Sequence, residues 1–195
     1  MNGVFLLNLR DAMLSREIEQ LANQVIEGFS CPLNAEIEHF LKERAMDFAR
    51  RNCSITYLAM NSRRQLLGYF TLAHKSLRIR ADNFSKSSQR KLRNYAGEID
   101  ELGFFNVASF LIAQIGLNWV MPRPSEIGGD GLLDLALEKL RVAQGIVGGG
   151  VVFLECEKHP KLLSFYQREP NCFRPFGERV SSRDGMCYQQ LMRFL

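Results

Sequence analysis

No Cys-x-x-Cys pair occurs in the 195 residues, and the five cysteines, Cys31, Cys53, Cys156, Cys172 and Cys187, are an odd number. Both facts argue against a disulfide framework or a zinc site and predict unbridged thiols in a reducing, cytoplasmic compartment. Histidine is scarce. His39, His74 and His159 have no metal-ligand spacing, so no metal is expected. A long apolar run is missing as well. The longest, residues 104–121, is interrupted by Asn106, Ser109, Gln114 and Asn118, whereas a membrane span needs about 20 predominantly apolar residues. It predicts a buried strand and no membrane partner. Residues 3–9 are apolar but meet Arg10 and Asp11 too soon for a secretory segment. There is no internal repeat and no low-complexity stretch.

Hydrophobic residues make up 46% and charged residues 24% of the chain, values of an ordinary globular protein long enough for one domain, residues 1–195, with a substantial core. Residues 4–9 predict a first strand. Ile18, Leu21, Ala22, Val25 and Ile26 recur at helical spacing, which predicts a helix over residues 14–29 with Ser15 as its cap. Cys31-Pro-Leu-Asn34 breaks it. Asn34 then caps a second helix with Ile37, Phe40, Leu41, Ala45 and Phe48 on its apolar stripe, ending near residues 50–52. Strands follow at 55–60 and 66–74, joined by a turn at 61–64. After a polar, basic stretch with one short helix around 87–95 come a strand (107–118), a helix (131–144) stopped by Gly145, and a β-branched strand (151–156). A helix at 161–168 and a closing hairpin, 173–180 with 186–193, complete a mixed α/β domain.

The glycine cluster in Ile127-Gly-Gly-Asp-Gly-Leu-Leu133 opens directly into an amphipathic helix and follows an apolar strand. A helix N-terminus carries unpaired N–H donors and partial positive charge, and glycine lets a phosphate approach the backbone. Gly128, Gly129 and Gly131 therefore suit a phosphate-bearing cofactor, although many such turns bind nothing. No Gly-Lys-Ser/Thr follows, which excludes a P-loop, and the dinucleotide fingerprint lacks its third glycine and its ribose-binding acid. The net charge of +4 is mild. Its distribution is uneven: Lys75, Arg78 and Arg80 precede Lys86, Arg90, Lys91 and Arg93. That segment reads either as a solvated face or as a patch for a polyanion.

The order of elements resembles the GNAT superfamily of acyl-coenzyme A N-acyltransferases. The match rests on Phe110-Leu-Ile-Ala-Gln-Ile-Gly-Leu-Asn118 leading into Gly129-Asp-Gly131, on Val151-Val-Phe-Leu-Glu-Cys156, and on Phe165-Tyr166 with Phe173 downstream. Upstream, Phe29-Ser-Cys-Pro-Leu-Asn34, Phe40-Leu-Lys-Glu-Arg-Ala45, Thr56-Tyr57 and Gly68-Tyr-Phe-Thr71 resemble the acetyltransferase toxins of bacterial toxin–antitoxin pairs. The resemblance implies a single GNAT-like domain whose central parallel strands splay apart. It implies acetyl-CoA as cofactor, with main-chain groups of Ile115, Gly116 and Leu117 on the pantetheine arm. Phe165 and the amides of Gly128, Gly129, Asp130, Gly131, Leu132 and Leu133 would complete the cofactor site, the amides holding the diphosphate. Tyr166 matches the tyrosine that protonates the departing sulfur; it is also readable as an aromatic packed on Phe165. A primary amine is the implied acceptor, with aminoacyl-tRNA (through Lys86, Arg90, Lys91 and Arg93), an antitoxin protein and a homodimer as implied partners.

Two positions depart from the family pattern. Glu126 stands where Gln or Arg is usual, and a carboxylate there repels a diphosphate unless it is turned away or paired with Arg123. Cys172 stands where a glycine usually precedes the phenylalanine, with Pro170 and Asn171 ahead of it, so the turn after Tyr166 should differ. Glu155, Glu157 and His159 are candidates for a general base, each equally readable as a surface residue or helix cap. The alternatives are an N-acetyltransferase of a generic amine, a toxin acting on charged tRNA, and a non-catalytic module that keeps the fold.

Overall fold

A computed structural model describes residues 3–97, 99–121, 126–182 and 185–195. The elements are β1 (Phe5–Asn8), α1 (Leu9–Ala12), α2 (Arg16–Glu27), α3 (Ala35–Glu43), α4 (Ala45–Arg50), β2 (Ile55–Met60) and β3 (Leu66–Arg80). A 3-10 turn (Ala81–Asn83), α5 (Lys86–Leu92), β4 (Phe104–Leu117), α6 (Gly129–Val147), β5 (Val151–Glu157), α7 (Pro160–Gln167), β6 (Arg174–Val180) and β7 (Cys187–Phe194) follow. The strands form one mixed sheet in the order β1-β2-β3-β4-β5-β7-β6. The α/β class expected from the sequence is the class found. The chain divides into two compact units, Met1–Ala73 with Ile112–Lys139, and His74–Leu111 with Leu140–Leu195.

In the first unit, β1 runs antiparallel to β2 with Phe5 opposite Met60, and β2 antiparallel to β3 with Ile55 opposite Leu72. Asn61 makes the turn between β2 and β3. Its Oδ1 accepts from the amides of Arg63 and Gln65, both at 3.0 Å, and Arg64 takes φ 60°. Asn34 caps α3 as its sequence position predicts, accepting from the amides of Glu36 and Ile37 at 3.1 and 3.2 Å. Ser15 occupies the N-cap position of α2 without a side-chain capping bond. The single helix expected over 34–50 is broken at Arg44 (φ −126°), which turns Ala45 and Ala49 into the core while Arg44 stays exposed. The short α1 was not expected. Asn8 caps it, accepting from the Arg10 amide at 2.8 Å. The core gathers Leu9, Phe29, Phe40, Leu41, Leu58, Met60 and Tyr69. Tyr69 is fully buried, and its hydroxyl donates to the Ile37 carbonyl at 2.6 Å.

In the second unit the strand expected to end at His74 continues to Arg80. Exposed Lys75, Ser76, Arg78 and Arg80 enclose buried Leu77 and Ile79, a period-two pattern hidden by the charge of the segment. Leu77, Ile79, Leu92, Phe105, Val107, Val151, Phe153, Phe176 and Met192 form this unit's core. β5 and β6 both pair antiparallel with β7. The parallel ladder of β4 with β5 covers only Ser109–Leu111 against Val151–Phe153; β4 continues outside it to Leu117 and β5 to Glu157. α6 runs past the expected stop at Gly145. It ends at Gly148 (φ 75°), whose amide donates to the Gln144 carbonyl at 2.9 Å. Gly145 is exposed, and an exposed glycine inside a helix costs only about 1 kcal/mol, too little to end a helix with a good cap three residues on.

Candidate functional site

The candidate donor-binding residues lie in the first unit. Ile115, Gly116 and Leu117 end β4, half-buried. Their packing is tight. A Cβ on Gly116 would stand 2.6 Å from Ile37 Cγ2, and one on Gly68 would stand 2.7 Å from the Gly116 carbonyl oxygen, 3.1 Å from Leu132 Cδ2 and 3.2 Å from Leu117 Cα. The two glycines thus let α3, β3, β4 and the start of α6 close together. Asn118 fixes the end of β4: its Oδ1 accepts from the Ser30 amide at 3.1 Å and its Nδ2 donates to the Leu66 carbonyl at 2.9 Å.

α6 begins at Gly129, and Ile127, 2% exposed, anchors the segment before it. The Leu132 amide donates to the Gly128 carbonyl at 3.0 Å. The helical ladder therefore starts at Leu132, and the amides ahead of it are those of Gly128, Gly129, Asp130 and Gly131. Leu132 and Leu133 place their side chains in the interior at 1% and 0% exposure, which seats the first turn of α6 on the core. Gly128 is exposed, and a Cβ there would meet nothing within 4 Å.

Glu126 is exposed, and its Oε1 accepts from Asn61 Nδ2 at 2.8 Å. The sequence pointed to Arg123 as its partner; Arg123 lies outside the described residues. Nothing local in the sequence marks Asn61 for this contact, because 65 residues separate the two.

The candidate proton donor lies in the second unit. Tyr166 sits in α7, which Pro160 opens at its first turn and His159 caps. It is 7% exposed, edge-on to Phe165 at 5.0 Å and to Phe173 at 5.9 Å between ring centroids. Its hydroxyl has no hydrogen-bond partner among the described residues. Burial, and then the Cys156 thiol beside it, push its pKa well above the ordinary tyrosine value. Burial and Glu157 in turn push the Cys156 thiol up to about 11, so it is protonated at neutral pH and inert as a nucleophile. All five cysteines are unbridged.

The turn after Tyr166 is held tightly. The Phe173 amide donates to the Tyr166 carbonyl at 2.9 Å, Asn171 Nδ2 to the Phe165 carbonyl at 2.8 Å, and the Arg193 guanidinium to the Asn171 carbonyl at 2.7 Å. Cys172 adopts φ 54°, the left-handed region that glycine enters without steric cost. Its side chain is tolerated there because the bonds on either side determine the backbone.

Two of the base candidates have other work. Glu155 accepts from Arg179 Nε at 2.6 Å and from Gln190 Nε2 at 2.8 Å. His159 Nδ1 accepts from the Lys161 amide at 3.3 Å, which is the helix-cap alternative. In the basic segment, Arg78 and Arg80 are paired with Asp100 and Asp82 and lie over the Phe104 ring. Lys86, Arg90, Lys91 and Arg93 are exposed on or next to α5, and none joins an ion pair among the described residues; Lys91 Nζ lies 5.7 Å from the centre of the Phe194 ring. No group of three or more His, Cys, Asp or Glu among the described residues could hold a metal ion. No helix among them is long and apolar enough to cross a membrane.

The parallel β4–β5 pair, the glycine segment opening α6 and the β5-α7-β6-β7 ending define the GNAT fold, as the sequence resemblance led us to expect. Solved structures of AtaT and KacT share it. AtaTR bound with AcCoA superposes with a TM-score of 0.63 at 21% identity, over 100% of this chain and 95% of that one. AtaT complexed with acetyl-methionyl-tRNAfMet gives 0.63 at 18% identity over 95% and 93%. A mutant of KacT gives 0.63 at 19% identity over 99% and 95%. At such identities the likeness establishes the fold. The sequence matches no protein-family model and no curated protein.

Proposed function

We propose that this protein is an acetyl-CoA-dependent N-acetyltransferase that moves the acetyl group to a primary amine by direct attack. The observation that carries the proposal is the fold likeness over the whole chain to AtaTR bound with AcCoA. It is supported by a helix start at Gly129 whose leading amides suit a diphosphate. The main chain of Ile115, Gly116 and Leu117 is assigned to the pantetheine arm, and the amides of Gly128, Gly129, Asp130 and Gly131 to the diphosphate. Phe165, half-buried beside Tyr166, is assigned an apolar contact with the cofactor.

The chemistry has three requirements. The amine must be neutral, the carbonyl oxygen must be stabilised as it gains charge, and the departing thiolate must gain a proton or a hydrogen bond. The amine nitrogen bonds to the carbonyl carbon, the carbon–sulfur bond breaks with its electron pair going to sulfur, and the proton lost by nitrogen passes through water to that thiolate, giving the amide and the free thiol. Tyr166 is assigned to the sulfur. Its raised pKa keeps it protonated, and an acid well above a thiol's ~8.5 gives a strong hydrogen bond more readily than it gives up its proton. With Glu155 in an ion pair and His159 capping α7, neither is disposed to deprotonate the acceptor. That favours an amine which is substantially neutral unaided, such as an α-amino group near ~7.7, over a lysine side chain near ~10.4.

Acetyl-CoA at about 100 times its Kd should stabilise the protein by about 2.7 kcal/mol, roughly 5–10 °C in Tm. A melting temperature unmoved by millimolar acetyl-CoA refutes the assignment.

A second reading makes the acceptor an aminoacyl-tRNA; it is supported by the neighbour AtaT, which is complexed with acetyl-methionyl-tRNAfMet. The exposed Lys86, Arg90, Lys91 and Arg93, without carboxylate partners among the described residues, favour it. Replacing all four with Ala should weaken tRNA binding and flatten its dependence on salt by up to about four contacts' worth of slope. An unchanged slope rejects this patch as the contact. A neighbouring AtaT structure is bound to the C-terminus of the antitoxin AtaR, so an antitoxin partner belongs to the same reading.

A further inference from the structure

We infer that Asn61 is a positioning residue for the cofactor diphosphate, because it holds the Glu126 carboxylate away from the amides that open α6. The inference rests on the acetyl-CoA assignment above. Glu126 lies two residues before Gly128, so its carboxylate belongs to the segment that would take up an anion. A carboxylate left to swing toward a diphosphate costs binding through direct repulsion.

The restraint comes from a side chain with no freedom to yield. Asn61 is 1% exposed and uses its whole hydrogen-bonding capacity. Oδ1 accepts from the Arg63 and Gln65 amides at 3.0 Å each. Nδ2 donates to Gln65 Oε1 at 2.9 Å and to Glu126 Oε1 at 2.8 Å. The first three bonds belong to the β2–β3 turn, and they aim the remaining N–H at position 126. A hydrogen bond to an ionised acceptor is also among the stronger kinds. The turn, whose local role is to reverse the chain, thus gains a second role as the clamp on an acidic position beside the glycines.

The test is coenzyme A binding by calorimetry to the full chain and to variants whose melting shows them folded. Asn61→Asp keeps both acceptor bonds of the turn and replaces the donor to Glu126 with a repelling charge. It should weaken coenzyme A binding by about tenfold at low salt, with a smaller loss at 0.5 M salt, where the Debye length is only a few ångströms. Glu126→Gln added to Asn61→Asp reverses donor and acceptor across the same contact. It should restore binding to within about twofold of Glu126→Gln alone, as expected of a lost restraint on a charge. A role confined to the turn would not be rescued from position 126. Undiminished binding in Asn61→Asp, or a loss that Glu126→Gln leaves in place, overturns the inference while the acetyl-CoA assignment stands. Failure of both the unaltered protein and Glu126→Gln to bind coenzyme A refutes the assignment, and the inference with it.

Discussion

Replacing Tyr166 with phenylalanine should lower kcat by about a hundredfold and leave the Kd for acetyl-CoA unchanged. A positioned acid contributes about 10²- to 10⁴-fold to a rate, and the lower end applies to a hydroxyl that donates a hydrogen bond more readily than a proton. Phenylalanine keeps the ring, and with it the edge-on contacts to Phe165 and Phe173. Nor does it orphan a protein partner, because the hydroxyl has none among the described residues. The fold should therefore survive, which makes the rate interpretable. The raised pKa adds a second expectation. The neutral phenol is the competent form, so under the proposed activity the unaltered protein should show no loss of kcat from Tyr166 ionisation up to about pH 10. A kcat equal to that of the unaltered protein would make Tyr166 only part of the aromatic packing.

Gly68→Ala should cost about 2 kcal/mol of stability and roughly 4–8 °C in Tm. The added methyl would sit 2.7 Å from the Gly116 carbonyl oxygen and 3.2 Å from Leu117 Cα. These are backbone atoms of β4, so no rotamer change relieves the clash. Relief has to come from shifting the main-chain segment assigned to the pantetheine arm, and the affinity for acetyl-CoA should fall with the stability. Gly128→Ala is the control. Its methyl would meet nothing within 4 Å, so its melting temperature should stay within about 2 °C of the parent. Equal melting temperatures for Gly68→Ala and the parent would show that β3 and β4 separate at no cost.

Much of the fold is written in local pattern. The extent of β2, the Asn34 cap and the turn after Met60 follow from alternation, capping chemistry and turn chemistry within a few residues of each site. Where two local signals conflict, the sequence misleads. The charges at Lys75, Arg78 and Arg80 hid the alternation of Leu77 and Ile79 that carries β3 onward. Gly145 suggested a helix end, but the positive φ that terminates α6 falls at Gly148. The Arg44 break has no glycine or proline to announce it, and core packing decides it.

The sequence by itself determined the order of the seven strands, the glycine opening of α6 and the resemblance that names Tyr166, because each depends on residues close together in the chain. Only the tertiary structure decided what those residues meet. It placed Gly68 against Gly116, clamped Glu126 with Asn61, buried the Tyr166 ring, and assigned His159 to a helix cap and Glu155 to an ion pair. The physical reason is that steric contact, hydrogen bonding and desolvation act across space. The partners that set them are fixed by folding and carry no mark in the neighbouring sequence.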